Sequence, residues 1–107
     1  MPEFYDALPT DYLAPEESMT VSVDGFPIAV ANVAGEYFAF QNLCPHQGTT
    51  LGGRPIVDGH FIVCSQHSSC YDVSTGECVR PSEGDGFNQD LMVFETEVVD
   101  DVVRIKL

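Results

Sequence analysis

The stretch Cys64–Tyr71, CSQHSSCY, decides the fold of this chain, because it places Cys64 and His67 three positions apart in a sequence with only three histidines. An earlier stretch, CPHQG, contains a second such pair, Cys44 and His46. Seventeen residues, positions 47 to 63, separate His46 from Cys64. The sequence therefore holds two thiols and two imidazoles in matched pairs, C-x-H and C-x-x-H.

This donor set suits two kinds of metal site. Thiolate and imidazole together bind zinc or, with inorganic sulfide, an iron–sulfur cluster. In a two-Cys, two-His zinc finger the cysteines are close together and the histidines pair separately. Here each half of the motif supplies one ligand of each type, which suits a cluster with two chemically different irons. The residues favour the cluster but leave a structural zinc site open.

Composition and charge limit the remaining classes of function. At 107 residues the chain predicts one domain, and 44% of its residues are apolar, enough for a core without disulfides. Four basic residues against seventeen acidic ones give a formal charge of −13, which repels nucleic acid and anionic membranes and attracts basic partner surfaces. No apolar run approaches the roughly 20 residues of a membrane span, and the first residues, MPEFYDALPTDYL, lack the pattern of an export signal. We expect a soluble, cytoplasmic protein.

Short apolar segments separated by turn signals predict an all-β domain. These turn signals are Asp24-Gly25, Ala34-Gly35, Gly52-Gly53, Asp58-Gly59, Ser74-Thr75-Gly76 and Asp100-Asp101. The only helical piece we expect is a short turn near TDYL. The pattern predicts a small antiparallel β-sandwich or partly open barrel, with a base scaffold at about 1–41 and 87–107 and an inserted cluster-binding subdomain at about 42–86. The predicted strands are 19–23, 27–33, 36–41, 56–57, 61–64, 70–73, 77–79, 91–98 and 102–107.

The two ligand pairs and the following YDVSTGE resemble the Rieske [2Fe–2S] family, whose motif is C-x-H, a similar spacer and C-x-x-H. The resemblance covers about 19–107 and is strongest over 42–81. It implies the Rieske fold and one [2Fe–2S] cluster per chain. It also implies that Cys44 and Cys64 bind the inner iron while His46 and His67 bind the outer iron near the surface.

Two hydroxyl residues near the second pair resemble those of high-potential Rieske proteins. Neutral imidazoles in place of two thiolates already raise Rieske potentials to about −150 to +300 mV. Ser69 and Tyr71 are predicted to add hydrogen bonds to cluster sulfurs and to raise the potential above that usual for an oxygenase ferredoxin. High-potential proteins also carry a disulfide between the ligand loops, but Thr49 and Gln66 occupy the corresponding positions here.

The chain's size is similar to that of free-standing Rieske ferredoxins of bacterial oxygenase systems. This resemblance implies an electron carrier, not an enzyme, which takes electrons from a flavin-containing reductase and passes them to a terminal oxygenase that hydroxylates aromatic or hydrocarbon rings. Within the resemblance the oxygenase is either a ring-hydroxylating dioxygenase or a diiron hydroxylase. Both partners are expected to dock near His46 and His67. The alternatives are a small Rieske subunit of a larger redox enzyme, of the nitrite reductase or arsenite oxidase type, and a zinc-stabilised binding module.

The remaining cysteines and histidine receive structural roles. Cys70 and Cys78 flank a turn and are expected to be small buried residues, not ligands and not a local disulfide. His60 follows Asp58-Gly59 and is expected to be a solvated turn residue.

Overall fold

Antiparallel strands form most of the computed structural model, which describes residues 3–45, 48–65, 69–80 and 89–107. One turn of 3-10 helix, Thr10–Tyr12, follows the first strand and confirms the helical piece predicted near TDYL. No helix in these ranges has the length and hydropathy of a membrane span. The strands are β1 Phe4–Pro9, β2 Glu17–Val23, β3 Phe26–Val33, β4 Glu36–Gln41, β5 Ile56–Val57, β6 Phe61–Val63, β7 Cys70–Asp72, β8 Cys78–Arg80, β9 Val93–Phe94, β10 Thr96–Val99 and β11 Val102–Lys106.

The strands form three antiparallel sheets that do not close into a barrel, which confirms the predicted fold class. Their strand orders are β1-β11-β10, β2-β3-β4-β9 and β5-β6-β7-β8. The two-residue turn between β2 and β3 shows how the sequence sets this topology: Asp24 and Gly25 both have positive φ, at 50° and 83°. A turn of this kind matches the twist of the strands that it joins. Asp100 and Asp101 do the same between β10 and β11 without a glycine, at 52° and 61°.

Two parts of the strand prediction were wrong. β1 was not predicted, because Asp6 and Pro9 interrupt its short apolar pattern and its stability comes from pairing with β11, almost a hundred residues away. The predicted strand 91–98 is two strands: β9 pairs with β4, whereas β10 pairs with β11. The chain changes sheets at Glu95, whose carbonyl accepts a hydrogen bond from the Lys106 amide at 2.9 Å.

Strand β3 separates two hydrophobic cores. Ala29 and Ala31 face one core, whereas Ile28 and Val30 face the other, as the twofold alternation of a strand requires. Burial on both faces explains why the middle of this strand, from Ile28 to Ala31, is continuously apolar. The base core adds Leu8, Leu13, Val21, Val23, Ala39, Val103 and Ile105, and the core beneath the ligand pairs adds Phe40, Cys44, Leu51, Ile56, Ile62, Cys64, Tyr71, Val73 and Leu91.

The third sheet, β5 to β8, lies entirely within the segment 42–86 that was predicted to be an inserted cluster-binding subdomain. The remaining strands all belong to the other two sheets. The division of the chain into scaffold and subdomain remains a proposal. We favour this division because the structure has two hydrophobic cores, which meet at strand β3.

Candidate metal centre

Cys44 and Cys64 occupy equivalent positions at the starts of two hairpin tips. An isolated bridge between Leu43 and Thr50 closes the first tip, and the pairing of Val63 with Cys70 closes the second. Each tip is therefore six residues long, 44–49 and 64–69, and begins with a cysteine. This equivalence is consistent with the proposal that the two halves of the motif, seventeen residues apart, contribute to one site.

The same backbone hydrogen bond fixes each cysteine in its loop. The Cys44 amide donates to the Thr49 carbonyl at 2.7 Å, and the Cys64 amide donates to the Ser69 carbonyl at 2.8 Å. In the first loop the Gly48 amide also donates to the Cys44 carbonyl at 2.7 Å. Local bonds of this type hold the ligand backbone in place before any metal binds.

Both thiols are removed from water, and a contact between side chains shows that the loops meet. Cys44 and Cys64 are each 1% exposed and belong to the same core. The Cys44 sulfur lies 3.8 Å from the Ser69 hydroxyl of the second loop. Two buried thiols from adjoining loops are a suitable half-set of ligands for an iron held away from solvent.

Tyr71 places its hydroxyl against the same sulfur. The Tyr71 oxygen lies 3.3 Å from the Cys44 sulfur, and both Tyr71 and Ser69 are completely buried. When Cys44 is a thiolate, only the hydroxyl carries a proton, so Tyr71 must donate. The geometry is consistent with the hydrogen bonds predicted from the sequence, which remain a prediction for the bound cluster.

The other two proposed ligands lie outside the described residues. His46 and His67 belong by sequence to the two hairpin tips, as does Gln66, which replaces a disulfide cysteine of high-potential proteins. Thr49 is described, and its carbonyl is the one that accepts from Cys44. The assignment of both histidines therefore still depends on the motif.

The base of the first loop is braced by contacts that the sequence did not reveal. The Leu51 amide donates to the Asn42 carbonyl at 2.7 Å, and the Thr20 hydroxyl of β2 donates to the Asn42 side-chain oxygen at 2.8 Å. A side chain at Gly52 would collide with Thr20 and Asn42. The only sequence signal was the Gly52-Gly53 pair, which predicted a turn but not this close approach.

Cys70 and Cys78 are free thiols, and their environment keeps them unreactive. Burial raises the pKa of the Cys70 thiol, against the opposing effect of Arg80. Burial likewise raises the pKa of Cys78, which is half-buried. Both thiols stay protonated near neutral pH, and a protonated thiol is a poor nucleophile and metal ligand. That these two cysteines do not form a local disulfide in the protein stays a prediction.

The YDVSTGE hairpin is organised around the Asp72 carboxylate. One of its oxygens accepts from the Ser74 amide at 2.9 Å and from the Ser74 hydroxyl at 2.6 Å. The other lies 4.0 Å from Nδ1 of His60, which is exposed in a turn as predicted. Burial acts to raise the pKa of Asp72, but the Ser74 hydrogen bonds and His60 outweigh it and leave that pKa below its usual range.

Comparison with known proteins identifies the family. A family model of the Rieske [2Fe-2S] domain matches residues 3–98. This chain belongs to the Rieske family. A domain of this family carries a [2Fe–2S] cluster, so the predicted cofactor class is confirmed and the zinc alternative is set aside.

The curated relatives of this Rieske chain include ferredoxin components of oxygenase systems. The ferredoxin subunit of biphenyl dioxygenase from Pseudomonas sp. (strain KKS102) is 36% identical over 78 residues, covering 73% of this chain and 72% of the relative. The ferredoxin component of the p-cumate 2,3-dioxygenase system from Pseudomonas putida is 34% identical over 76 residues, covering 69% of this chain and 64% of the relative. These relatives are electron-transfer components, which confirms the prediction of a Rieske electron carrier and not a catalytic subunit.

Solved structures show the same Rieske fold. A chain of the complex of reduced oxygenase and oxidised ferredoxin in carbazole 1,9a-dioxygenase gives a TM-score of 0.80 at 26% identity, covering 94% of this chain and 98% of that chain. The Sphingomonas yanoikuyae B1 ferredoxin gives 0.79 at 24% identity, covering 98% and 99%. The similarity extends over almost the whole of each chain.

Proposed function

We propose that this protein is the ferredoxin of a multicomponent oxygenase system that hydroxylates aromatic rings. In this role it takes one electron at a time from a flavin-containing reductase and delivers it to a terminal oxygenase. The observation that carries the proposal is the pair of buried thiols, Cys44 and Cys64, in two adjoining hairpin tips of a Rieske domain. The ferredoxin relatives named for biphenyl, p-cumate and naphthalene dioxygenase systems support the choice of oxygenase class.

The four proposed ligands divide by type. Cys44 and Cys64 would hold one iron, and His46 and His67 would hold the other. The bound cluster would supply one reversible electron at a potential within the Rieske range of about −150 to +300 mV. The thiols and imidazoles fit this group because their donor chemistry matches the two unlike irons of a Rieske centre.

The rest of the chain would control how easily the electron is accepted. Burial of Cys44 and Cys64 keeps water from their sulfurs, and the Tyr71 and Ser69 hydroxyls are positioned to stabilise negative charge on that side of the site. Partners would approach the side of His46 and His67, where a short path to the metal avoids any need for the protein to open. The charge of −13 favours partners with basic docking surfaces.

Anaerobic purification tests the cofactor directly. We expect two irons and two acid-labile sulfides per chain, a red-brown colour and, after reduction, the low average g value of a Rieske centre. Cys44→Ser and Cys64→Ser should lose the colour and the signal, whereas the matched non-ligand change Cys78→Ser should keep both. Loss of the centre in Cys78→Ser, or its retention in Cys64→Ser, would contradict the ligand assignment.

A reconstituted electron-transfer chain tests the proposed role. The reduced protein should be reoxidised by a ring-hydroxylating terminal oxygenase in the presence of its aromatic substrate and oxygen, with hydroxylated product formed in proportion to the electrons delivered. An oxygenase without added ferredoxin provides the background rate. Rapid reoxidation by a diiron hydroxylase but not by a ring-hydroxylating oxygenase would replace the proposed partner class.

A further inference from the structure

Arg54 lies two residues before β5, and its side chain forms a hydrogen bond with the residue that precedes Cys64. Its Nε donates a hydrogen bond to the Val63 carbonyl at 3.0 Å. Val63 ends β6, and the next residue is the proposed ligand Cys64. The Arg54 side chain therefore joins the segment after the first ligand loop to the start of the second loop, through a contact that no sequence pattern indicated.

The need for this contact follows from the sequence Arg54-Pro55. β5 and β6 pair Ile56 with Ile62 and Val57 with Phe61. One further step in that register places Pro55 opposite Val63, but proline has no N–H to donate. The Arg54 guanidinium supplies the donor that the strand lacks at the base of the second ligand loop.

The backbone of Arg54 is itself held firmly. Its amide donates to the Leu51 carbonyl at 3.1 Å, and its carbonyl accepts a hydrogen bond from the Ser18 hydroxyl of β2. The same hydroxyl accepts from the Gly53 amide at 3.1 Å. These bonds fix the start of the side chain, and the bond to Val63 fixes its charged end.

Arg54 and Arg104 differ in how their positive charges are paired. Among the described residues, no carboxylate lies within 4.0 Å of the Arg54 guanidinium, whereas Arg104 forms ion pairs with Asp6 and Glu97. Arg54 is also half-buried, and a partly buried charge is screened less by solvent and salt than an exposed one. Only four residues of the chain are basic, and one of them lies fixed beside the start of a ligand loop with no ion pair within 4.0 Å in the part of the chain that the structure describes.

We propose that Arg54 is a positioning residue that holds the second ligand loop and raises the reduction potential of the centre with its positive charge. The inference rests on the proposed assignment of Cys64 as a ligand. An added electron increases the negative charge of the centre, so a fixed cation nearby stabilises the reduced form. This effect of the Arg54 charge on the potential is separate from that of the predicted hydrogen bonds of Ser69 and Tyr71, whose hydroxyls lie near the Cys44 sulfur.

Voltammetry of charge-matched variants tests this proposal. Arg54→Gln removes the charge but keeps a side-chain donor, Arg54→Met removes both, and Arg54→Lys keeps the charge. We expect Arg54→Gln and Arg54→Met to shift the one-electron equilibrium at least threefold toward the oxidised form, or about 28 mV at 59 mV per tenfold change. Arg54→Lys should stay within twofold of the wild type. If Arg54→Met fails to fold, the comparison of Arg54→Gln with Arg54→Lys retains the test.

Arg104→Gln is the matched control, because it makes the same change in net charge in the base of the molecule. An unchanged potential in Arg54→Gln, with the Rieske spectrum intact, would overturn the inference while leaving the electron-carrier function standing. An equal shift in Arg104→Gln would overturn it as well, since net charge alone would then explain the effect. A wild-type protein without the Rieske spectrum would instead remove the proposed ligand set and this inference together.

Discussion

At the scale of single residues, the substitution Tyr71→Phe can distinguish the effect of the Tyr71 hydroxyl on the reduction potential from the effect of the Tyr71 ring on packing. Tyr71→Phe removes the oxygen 3.3 Å from the Cys44 sulfur but keeps the buried ring. Because hydrogen bonds to sulfur stabilise the reduced state, we expect a lower reduction potential. The loss of one hydrogen bond, about 1 kcal/mol, corresponds to roughly a fivefold change in the redox equilibrium constant. Voltammetry of the loaded protein measures it.

Tyr37→Phe is the control for this prediction. It also removes a phenolic hydroxyl, one that donates to the Thr10 carbonyl at 3.1 Å in the base of the molecule. That change should lower stability without moving the potential. If Tyr71→Phe leaves the potential where it is in the wild type, the hydroxyl does not tune the centre and only the packing role of Tyr71 remains.

At the scale of single residues, the sequence indicated candidate ligands but not the residues that support their loops. Cys44 and Cys64 could be found because their spacing repeats a pattern that the metal chemistry requires. Arg54 and Asn42 could not, because their partners lie on other strands and are brought close only by folding. A support of this kind has no fixed spacing along the chain, so only the tertiary structure reveals it.

At the scale of single elements, the β7–β8 hairpin depends on Gly76. This residue has φ of 84°, and its amide donates to the Asp72 carbonyl while its carbonyl accepts from the Leu91 amide, both at 2.7 Å. A Cβ at this position would collide with the Leu91 carbonyl. The hairpin and the segment leading to β9 therefore pass each other at a distance that only glycine permits.

We expect Gly76→Ala to destabilise the protein well beyond Gly59→Ala. Gly59 also has positive φ, at 92°, but a Cβ there meets nothing within 4 Å. Both changes should cost roughly 1–2 kcal/mol for the left-handed backbone, and Gly76→Ala should cost about 1–3 kcal/mol more for overpacking. Denaturant unfolding measures the two free energies. Equal losses in the two variants would show that the segment near Leu91 moves aside easily.

The same hairpin contains a carboxylate that links its stability to pH. The pKa of Asp72 is lowered in the folded state, so its stabilising effect is complete above the ordinary carboxyl pKa of about 3.9 and is lost as the pH falls through the lower folded value. We expect the difference in free energy of unfolding between the wild type and Asp72→Asn to shrink as the pH falls below the ordinary carboxyl pKa and through the lower folded value.

Ser74→Ala tests the cause of this pH dependence. It removes the hydroxyl that donates to Asp72 at 2.6 Å and keeps the backbone donor. The loss of stability on acidification should therefore begin at a higher pH than in the wild type, and stability at neutral pH should fall by about 1 kcal/mol. Identical acid profiles for Ser74→Ala and the wild type would assign the lowered pKa to His60 or the backbone instead.

Predictions of elements succeeded where the signal was local. The turns at Asp24-Gly25 and Asp58-Gly59 could be predicted because an Asp-Gly pair follows a short apolar run in each case. All four of these residues have positive φ in the structure. Strand β1 and the break at Glu95 were missed because each depends on which distant strand is available for pairing. A β-strand is stabilised by its neighbours more than by its own sequence, so errors of this type are expected in an antiparallel fold.

At the scale of the whole molecule, two of the four positive charges make contacts far from the ligand loops. Arg104 is paired with Asp6 at 3.0 Å and with Glu97 at 2.9 Å, and Lys106 lies over the ring of Phe4 at 5.8 Å. These contacts concentrate on β1, β10 and β11, in the sheet that does not carry the ligand loops. With a total charge of −13, the field around the molecule is negative, and a basic partner surface would be attracted from a distance.

This field predicts how salt changes the rate of electron transfer. Between about 10 mM and 1 M ionic strength the screening length falls from about 30 Å to 3 Å, so attraction to a basic oxygenase surface should weaken and the second-order rate constant measured by stopped flow should fall. Reduction of the same protein by the small anion dithionite should respond in the opposite direction, because salt screens a repulsion between like charges. The prediction fails if the rate of electron transfer to the oxygenase is independent of salt while the reaction with dithionite is accelerated. That result would show that the negative field exists but does not guide docking. Short-range contacts close to the histidine-bearing loops would then have to account for the choice of partner.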